Sequence, residues 1–506
     1  MTNSRIAWFC ALLLLAGGKE ASAEIEQVKK IPAGAREIYN AAEVKGSPVS
    51  VNLAEYGYVE EEYFVSGTAS SFDYKDGSLV EHNKDLPYVT RVVVRRPEDM
   101  ATFSGVLHVE PEHPSKGNTS HWVAMQHFII DSGDAYVSVG SGNDPRQREL
   151  TAQSEFPTAQ SDIAKWYDPE RYKALQWPED DGIRYQVISD AVRYFRTAHD
   201  ANPFNDALPD VALAGGWSYT GSFWRTYVNY GFHEKFSIST DKPLFDGYLV
   251  GISSRWNGLG VLPLNSDIDK DGMDNPVRDL RPINVPVIEF LTEFEVGEGD
   301  GPQVADSNKN PGAHRLYEIG AVIHGDQLLM DQGGDRFNRG QLIQLYQKGY
   351  PKEADALAEC QYPLSDIPQG PYARAALSNL REWIVNGQLP PHAQELVLDE
   401  NGQVLRDHHQ NPLGGMPVAE FAIPLASYTT DAEPQCQRNG RPAMLRKNFS
   451  SQQLHAMYGN KDNYLKAYGD YLDAMVRERW VLESDAKMLK NKMADLATDA
   501  FAGKGE

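Results

Sequence analysis

Hydrophobic and polar positions alternate along the first two thirds of the chain in a pattern that predicts strands and helices in turn. β-branched and aromatic runs bounded by Gly or Asp are typical of strands. Such runs lie at residues 63–65, 89–94, 106–109, 135–139, 211–214, 248–252, 285–291 and 316–319. Between them, apolar residues within 183–199 recur every three or four positions, which predicts a helix with one buried stripe, and a second helix is predicted over 222–230. This alternation predicts an α/β fold, with a mostly parallel sheet and helices on both faces.

Beyond residue 325 the pattern changes to helical stretches separated by turns rich in Pro and Gly. Helices are predicted at 341–348, 373–385 and 451–496. We interpret this third of the chain as helical cover or a cap on the sheet. The predicted organisation is one domain over 24–506, with cap-like insertions in 326–470 and C-terminal helices in 451–496.

The first 23 residues have the pattern of a cleavable signal peptide. Arg5 supplies a positive charge, an apolar run extends from Ile6 to Ala16, and Ala21-Ser22-Ala23 has the small-x-small form that signal peptidase recognises. Cleavage is predicted before Glu24. No other apolar run approaches the ~18 residues of a membrane span. The mature protein is therefore expected in the periplasm or secreted, without a membrane partner.

Composition narrows the choice of partners and suggests one cross-link. The chain of 506 residues has a formal net charge of −23 and no block of Lys or Arg, which argues against nucleic-acid binding. Signal cleavage removes Cys10 and leaves Cys360 and Cys436. Two cysteines in an exported protein predict a disulfide, the alternative being two separate buried thiols.

The stretch from Leu213 to Ser222 (LAGGWSYTGS) carries the most specific chemical signal. A strand enters glycines, a single serine follows, and a helix begins, which is the context of a nucleophile elbow centred on Ser218. The match departs from G-x-S-x-G because position 220 is Thr and the glycine comes at Gly221. The alternative is an ordinary Gly-rich turn in which the serine caps a helix.

An elbow serine needs an acid and then a histidine in chain order. The strand at 285–291 is followed by Glu293 and Glu295, and sliding the usual Gly-x-x-Asp pattern onto this loop favours Glu295. Glu293 stays open as the alternative acid. His324 follows the last predicted strand and is the candidate general base.

These residues predict an acyl-enzyme mechanism that needs no cofactor. His324 takes the proton of Ser218, Ser218 attacks a carbonyl carbon, and the acid orients the imidazole. The backbone N–H of Tyr219 is the predicted first oxyanion donor. The second is predicted from Glu112, His113 or Ser115 in the loop after an earlier strand, since Pro111 and Pro114 have no N–H.

Several blocks of the chain resemble the bacterial "alpha/beta hydrolase domain" family of large exported esterases. They run from about residue 40 to 495 and are 57–69, 292–296, 315–324, 386–391, 414–417 with 423–428, and 436–440. The family elbow reads G-x-S-Q-S-G, in which Ser218 matches the nucleophile while Tyr219 and Thr220 replace Gln and Ser. The resemblance implies the α/β-hydrolase fold, hydrolysis of carboxylic esters and a small-molecule ester as substrate. It leaves the substrate itself and the oligomeric state open.

Two weaker patterns concern metal and substrate binding. Asp267, Asp269 and Asp271 form D-x-D-x-D-G, the first half of a calcium loop, but the twelfth position is Arg278 rather than Glu, so an acidic surface turn is favoured. A group of aromatic residues near the elbow could line a substrate pocket, although core packing is the more common role. The group comprises Trp122, Trp217, Trp224, Trp256 and Tyr219.

Two other functions fit the same sequence. An amidase or peptidase would use the same triad and acyl-enzyme chemistry. A non-catalytic binding protein could use a hydrolase scaffold, because a fold alone does not prove activity.

Overall fold

The computed structural model describes residues 25–32, 34, 36–142, 152–253, 279–296, 304–324, 339–352, 360–430, 436–438 and 441–504. Its centre is a nine-stranded sheet in the order β1-β2-β5-β7-β6-β8-β9-β10-β11. These strands are β1 (Ile25–Lys30), β2 (Tyr58–Ala69), β5 (Leu86–Pro97), β6 (Val106–Glu112), β7 (Ala135–Gly140), β8 (Val211–Trp217), β9 (Gly247–Gly251), β10 (Val287–Thr292) and β11 (His314–Ile319). A hairpin, β3 (Phe72–Lys75) and β4 (Ser78–Glu81), lies outside it.

Strand direction divides the sheet into two parts. From β7 to β11 every neighbouring pair is parallel. The strands β1, β2 and β5 are joined to each other and to β7 by antiparallel pairs. Every residue of β6, β7, β9, β10 and β11 is buried, as expected for strands covered on both faces. The prediction of a mostly parallel sheet with helices on both faces is confirmed.

Helices cover the two faces and form two separate cores. The helices before residue 240 are α1 (Ser120–Asp131), α2 (Gln160–Tyr167), α3 (Pro169–Tyr172), α4 (Arg184–Phe195), α5 (Tyr219–Asn229) and α6 (Phe232–Lys235). One core joins α4, α5 and α6 to the sheet through residues such as Ile188, Trp224 and Phe232. The other core joins α1 to the opposite face through Trp122 and Met125.

The C-terminal part of the chain belongs to the face that α1 covers. Its helices are α7 (Gly340–Gln347), α8 (Gln369–Asn386), α9 (Ala419–Ala422), α10 (Ser451–Tyr458), α11 (Lys461–Arg477) and α12 (Glu483–Phe501). Apolar residues of α8, α10, α11 and α12 share a core with α1 and the sheet. The single stretch predicted over 451–496 is therefore three helices. The first helix ends before Gly459. The Asn460 side chain then caps the next helix by accepting a hydrogen bond from the Asn463 amide.

Short strands and a disulfide complete this C-terminal extension. The strands are β12 (Ala426–Thr430), β13 (Gln437–Arg438), β14 (Arg441–Pro442) and β15 (Met444–Asn448). Cys360 and Cys436 form the predicted disulfide, and its surroundings include the buried side chain of Ile323. Among the described residues, no helix is both long and apolar enough to cross a bilayer.

Candidate active site

The sheet order brings the three predicted reactive residues to one edge. Ser218 follows β8, Glu295 follows β10 and His324 follows β11. Since β8, β9, β10 and β11 are parallel neighbours, their carboxyl ends lie along the same edge of the sheet. Ligands of open α/β sheets bind at this edge.

Ser218 occupies a tight turn between β8 and α5. Its φ of 59° and ψ of −120° lie in a region that residues other than glycine rarely adopt. The Ser218 amide donates to the carbonyl of Gly251 at 3.0 Å, which ties the turn to the end of β9. This conformation costs on the order of 1–3 kcal/mol and is typical of functional positions.

The glycines of this turn are there because the backbone crowds both positions. A Cβ at Gly216 would lie 2.5 Å from the carbonyl oxygen of Thr220, and a Cβ at Gly221 would lie 2.3 Å from that of Gly251. Position 220 is not so constrained. Its hydroxyl accepts from the Trp217 amide at 2.8 Å and donates to the Trp217 carbonyl at 3.0 Å. The departure from G-x-S-x-G thus adds two side-chain hydrogen bonds across the turn, both made by the Thr220 hydroxyl.

The predicted serine, histidine and acid lie in one hydrogen-bonded line. Ser218 Oγ is 2.5 Å from His324 Nε2, and His324 Nδ1 is in hydrogen-bond contact with Glu295 Oε1. An ionised carboxylate can only accept hydrogen bonds. Nδ1 therefore carries the proton in this arrangement, and Nε2 is left to accept from the serine hydroxyl. Glu295 itself is held by the Thr292 amide, at 3.1 Å, and by the Thr292 hydroxyl.

Glu293 lies away from the imidazole and has different partners. One carboxylate oxygen accepts from the amide of Ala321 at 2.7 Å, and the other pairs with the guanidinium of Arg406. Burial raises the pKa of Glu293, while Arg406 and the Ala321 amide act in the opposite direction. Of the two candidate acids, the structure brings only Glu295 against His324.

Tyr219 follows the serine and starts α5, but its side chain is turned into the protein. The Arg184 guanidinium, itself buried, donates to the Tyr219 hydroxyl at 2.6 Å. The ring centroid of His113 is 5.2 Å from that of Tyr219. Arg184 and His113 therefore fix the orientation of the residue whose amide is the predicted first oxyanion donor.

The candidates for the second oxyanion donor have other hydrogen-bond partners in this conformation. The strand β6 extends to Glu112, which is paired with Gly140, and the Glu112 carboxylate is buried against Arg91. The His113 amide donates to the carbonyl of Asn118 at 2.9 Å, and the Ser115 amide donates to His113 Nδ1 at 3.0 Å. In this conformation the amides of His113 and Ser115 both donate to acceptors within the same turn. The choice among Glu112, His113 and Ser115 therefore stays a prediction, because proximity in sequence does not tell which way an N–H points.

The aromatic and calcium predictions have different outcomes. Trp122, Trp217 and Trp224 are buried in the two cores, so they do not line an open pocket. The calcium pattern at Asp267, Asp269 and Asp271, like Trp256, lies outside the described residues. Within the described ranges, no three His, Cys, Asp or Glu side chains are grouped to hold a metal ion.

Glu110 is a buried residue of this region that sequence reasoning did not single out. Its carboxylate accepts from the amides of His121 and Trp122, at 2.9 and 3.0 Å, and from the Tyr136 hydroxyl at 2.7 Å. Burial raises its pKa to about 7, although these donors oppose the shift. Glu110 thereby anchors the start of α1 to the strand before the 113–119 loop. No local pattern reveals this role, because the acid and Tyr136 lie on different strands.

The match to a protein-family model supports the architecture. The family model "Alpha/beta hydrolase domain" matches residues 27–491. No curated protein matches the chain. Solved structures that resemble it include a dienelactone hydrolase from Anabaena variabilis (11% identity, TM-score 0.25), which covers 56% of this chain and 97% of its own. A hyperthermophilic esterase from the archaeon Pyrobaculum calidifontis (12%, TM-score 0.29) covers 58% and 86%. Brefeldin A esterase, a bacterial homologue of human hormone sensitive lipase (12%, TM-score 0.27), covers 58% and 74%.

The sheet order and the extent of the family match lead to the same assignment. The family model spans the sheet, the elbow, both loops that follow β10 and β11, and most of the C-terminal extension. The family named from sequence blocks is thus confirmed. The chain belongs to the alpha/beta hydrolase domain family.

Proposed function

We propose that this protein is an exported serine hydrolase that cleaves carboxylic esters through an acyl-enzyme on Ser218. The observation that supports this most directly is the line from Ser218 Oγ to His324 Nε2, at 2.5 Å, and from His324 Nδ1 to Glu295. A serine, a base and an orienting acid in hydrogen-bond reach are the signature of an activated nucleophile. Export rests on the signal-peptide pattern of residues 1–23, which lie outside the described part of the chain.

The proposed reaction has two steps. His324 Nε2 takes the hydroxyl proton while Ser218 Oγ bonds to the ester carbonyl carbon. The tetrahedral intermediate then expels the alcohol, which leaves with that proton, and the acyl group stays on Ser218. Water attacks the acyl-enzyme in the second step, again with His324 as base, and releases the acid. Glu295 keeps the proton on Nδ1 and stabilises the imidazolium that forms in each step.

Stabilisation of the oxyanion is proposed to begin with the Tyr219 amide. This amide starts α5, so the helix N-terminus adds positive potential at the same place. The contacts of Tyr219 with Arg184 and His113 support this assignment, since they hold the residue in one orientation. One such donor is worth about 3–4 kcal/mol in the transition state.

A fluorophosphonate probe tests the proposal directly. The full-length exported protein is treated with the probe, digested, and analysed by mass spectrometry to locate the adduct. We expect labelling at Ser218, and no labelling in Ser218→Ala. Labelling should also be lost when the wild-type protein is unfolded first, because an isolated serine is not activated. A wild-type protein that stays unlabelled while remaining folded contradicts the proposal and favours the binding-protein alternative.

Turnover then separates the ester from the amide reaction. A panel of p-nitrophenyl esters of increasing chain length is compared with the matching p-nitroanilides. We expect hydrolysis of the esters and at least a hundredfold lower rates with the anilides. Equal rates on both series would instead assign an amidase.

A further inference from the structure

Glu293 and Arg406 connect the two loops of the site to the C-terminal extension. Glu293 belongs to the turn after β10, two residues before Glu295. One of its oxygens accepts from the amide of Ala321, in the turn after β11 and three residues before His324. Its other oxygen pairs with Arg406, which is 113 positions away in the sequence. A single carboxylate thus touches both loops and the extension.

The turn at Ala321 needs this support. Ala321 has a φ of 56°, a left-handed conformation that is unfavourable for a residue with a Cβ. The hydrogen bond from its amide to Glu293 is made in this conformation, at 2.7 Å between nitrogen and oxygen. A change in the direction of this turn would move His324, which follows in the same loop.

Arg406 is itself fixed on the extension. Its guanidinium donates to the carbonyl of Tyr428, in the middle of β12, with 2.6 Å between the atoms. The segment that carries Arg406 is also tied to β11, since the Leu396 amide donates to Glu318 Oε2 at 2.6 Å and the Met416 amide to the Glu318 carbonyl at 2.8 Å. Arg406 and Glu293 are mostly buried, with side chains 11% and 6% exposed, so solvent screens their attraction only weakly.

We infer that the Glu293–Arg406 pair is a positioning device, through which the C-terminal extension sets the contact between Glu295 and His324. The inference rests on the proposed function, because it assigns these two residues to the same reaction. Neither residue contacts Ser218 or the imidazole in the described structure, so both act through the loops they join. A site of this kind loses rate when its groups shift by about 1 Å, even where binding is unaffected.

The kinetic test uses Glu293→Gln, Arg406→Gln, Arg406→Lys and the double variant Glu293→Gln/Arg406→Gln on a short p-nitrophenyl ester. We expect each Gln variant to lower kcat about tenfold with KM within about twofold, as for an interaction that matters in the transition state. Because the two residues act as a unit, the double variant should be no slower than the slower single variant. Arg406→Lys keeps the charge and should recover most of kcat.

Arg446→Gln is the matched control. Arg446 is a similarly buried arginine of the same extension, and it pairs with Asp366 at 2.8 Å. It does not contact the loops after β10 and β11 in the described structure. We expect its kcat within about twofold of wild type. An equal loss of kcat in Arg446→Gln and Arg406→Gln would overturn the inference, because any loosening of the extension would then have the same effect.

The pH profile separates positioning from simple charge effects. If the pair acts only through space, removal of the negative Glu293 and of the positive Arg406 must move the acid-side midpoint of the kcat/KM profile in opposite directions. If it positions the loops, both variants loosen Glu295 from His324 and destabilise the imidazolium. Both midpoints then move to lower pH. A midpoint for Arg406→Gln that rises above wild type overturns the inference.

A readout without turnover keeps the inference distinct from the proposed function. Failure of the wild-type protein to react with the fluorophosphonate rejects the proposed function alone. Hydrogen exchange, measured by mass spectrometry on peptides that contain residues 320–324, still tests whether the Glu293–Arg406 pair holds the turn at Ala321. We expect exchange at least about fivefold faster in Glu293→Gln and Arg406→Gln than in wild type and Arg446→Gln. Unchanged exchange in both Gln variants would overturn the inference whatever the activity.

Discussion

The nucleophile turn and the two loops that carry Glu295 and His324 are built in different ways. The side-chain bonds of the turn are local, with Thr220 bonded to both backbone groups of Trp217, three positions away, and one backbone bond joins Ser218 to Gly251 of the adjacent strand. The loops have local bonds too, such as those of Thr292 to Glu295, but Glu293 is also paired to Arg406 across 113 positions, and Glu318 of β11 is bonded to Leu396 across 78. The position of Ser218 therefore depends on its own strand and helix and on the adjacent β9. The loops that carry Glu295 and His324 depend in addition on the extension that follows them in the chain.

This difference bears on how the site tolerates change. A turn that is bonded within itself and to one adjacent strand depends on few remote residues. Loops held by long-range contacts respond to changes anywhere along those contacts. In this protein the C-terminal extension is a part of the site's framework, although its described residues supply none of the three hydrogen-bonded side chains.

The largest expected effect comes from the acid loop. Glu295→Gln keeps the size of the side chain but no longer requires the proton on Nδ1, so we expect kcat to fall about 10³-fold or more, as when a triad acid is neutralised. Steady-state rates on a p-nitrophenyl ester measure this. Glu293→Gln is the matched variant in the same turn and should lose only about tenfold. A larger loss in Glu293→Gln would mean that the wrong carboxylate was assigned to the imidazole.

A smaller effect on the reactivity of Ser218 is expected when the hydrogen bonds of the Thr220 hydroxyl are removed. Thr220→Val preserves the shape but leaves the Trp217 amide without its acceptor in a buried place, which should lower the free energy of unfolding by about 1–3 kcal/mol. We expect the rate of fluorophosphonate labelling to fall by less than about tenfold, since Gly216, Gly221 and the Gly251 contact still shape the turn. Urea unfolding and labelling kinetics provide the two numbers.

Thr220→Ser is the control for that variant, because it retains the hydroxyl. It should label at close to the wild-type rate. If Thr220→Val and Thr220→Ser have the same free energy of unfolding and labelling rate, the hydrogen bonds of the hydroxyl do not stabilise the turn. The contrast between the turn at Ser218 and the two loops then loses its main support.

The smallest effect on turnover is expected from the disulfide. Cys360 and Cys436 close a loop of 76 residues in the extension and pack near Ile323, the neighbour of His324. The double change Cys360→Ser/Cys436→Ser should lower stability by about 2–4 kcal/mol, and kcat by less than about threefold at 25 °C. Thermal unfolding and steady-state kinetics on the same preparation test both. If kcat falls as much as in Arg406→Gln, the disulfide rather than the Glu293–Arg406 ion pair is the main contact that positions the loops.

Much of the fold was accessible to sequence reasoning. Every strand of the parallel region was predicted, because continuous burial on both faces favours near-continuous apolar runs, as in β9. The strand β1 and the helix α1 were missed. The exposed positions of β1 give it little apolar signal, and α1 has six consecutive buried residues, 121–126, which obscures the three-and-four periodicity.

The candidate site was accessible to a lesser degree. The order of serine, acid and histidine after successive strands pointed to Ser218, Glu295 and His324, which the structure then brings together. The choice between Glu293 and Glu295 could not be made with certainty from one sequence, since both follow the same strand. The second oxyanion donor stays a prediction for a related reason, because the bonds of the His113 turn depend on how that turn closes on Asn118.

By itself the sequence determined what depends on near neighbours: the burial of strands, the need for glycine at 216, and the chain order of the candidate reactive residues. Only the tertiary structure decided which carboxylate faces the imidazole, where the aromatic side chains go, and that Arg406 reaches Glu293. The physical reason is the separation along the chain of the residues that interact. Backbone conformation and periodic burial are set within a few residues, whereas an ion pair between distant segments exists only once the whole chain has brought them together.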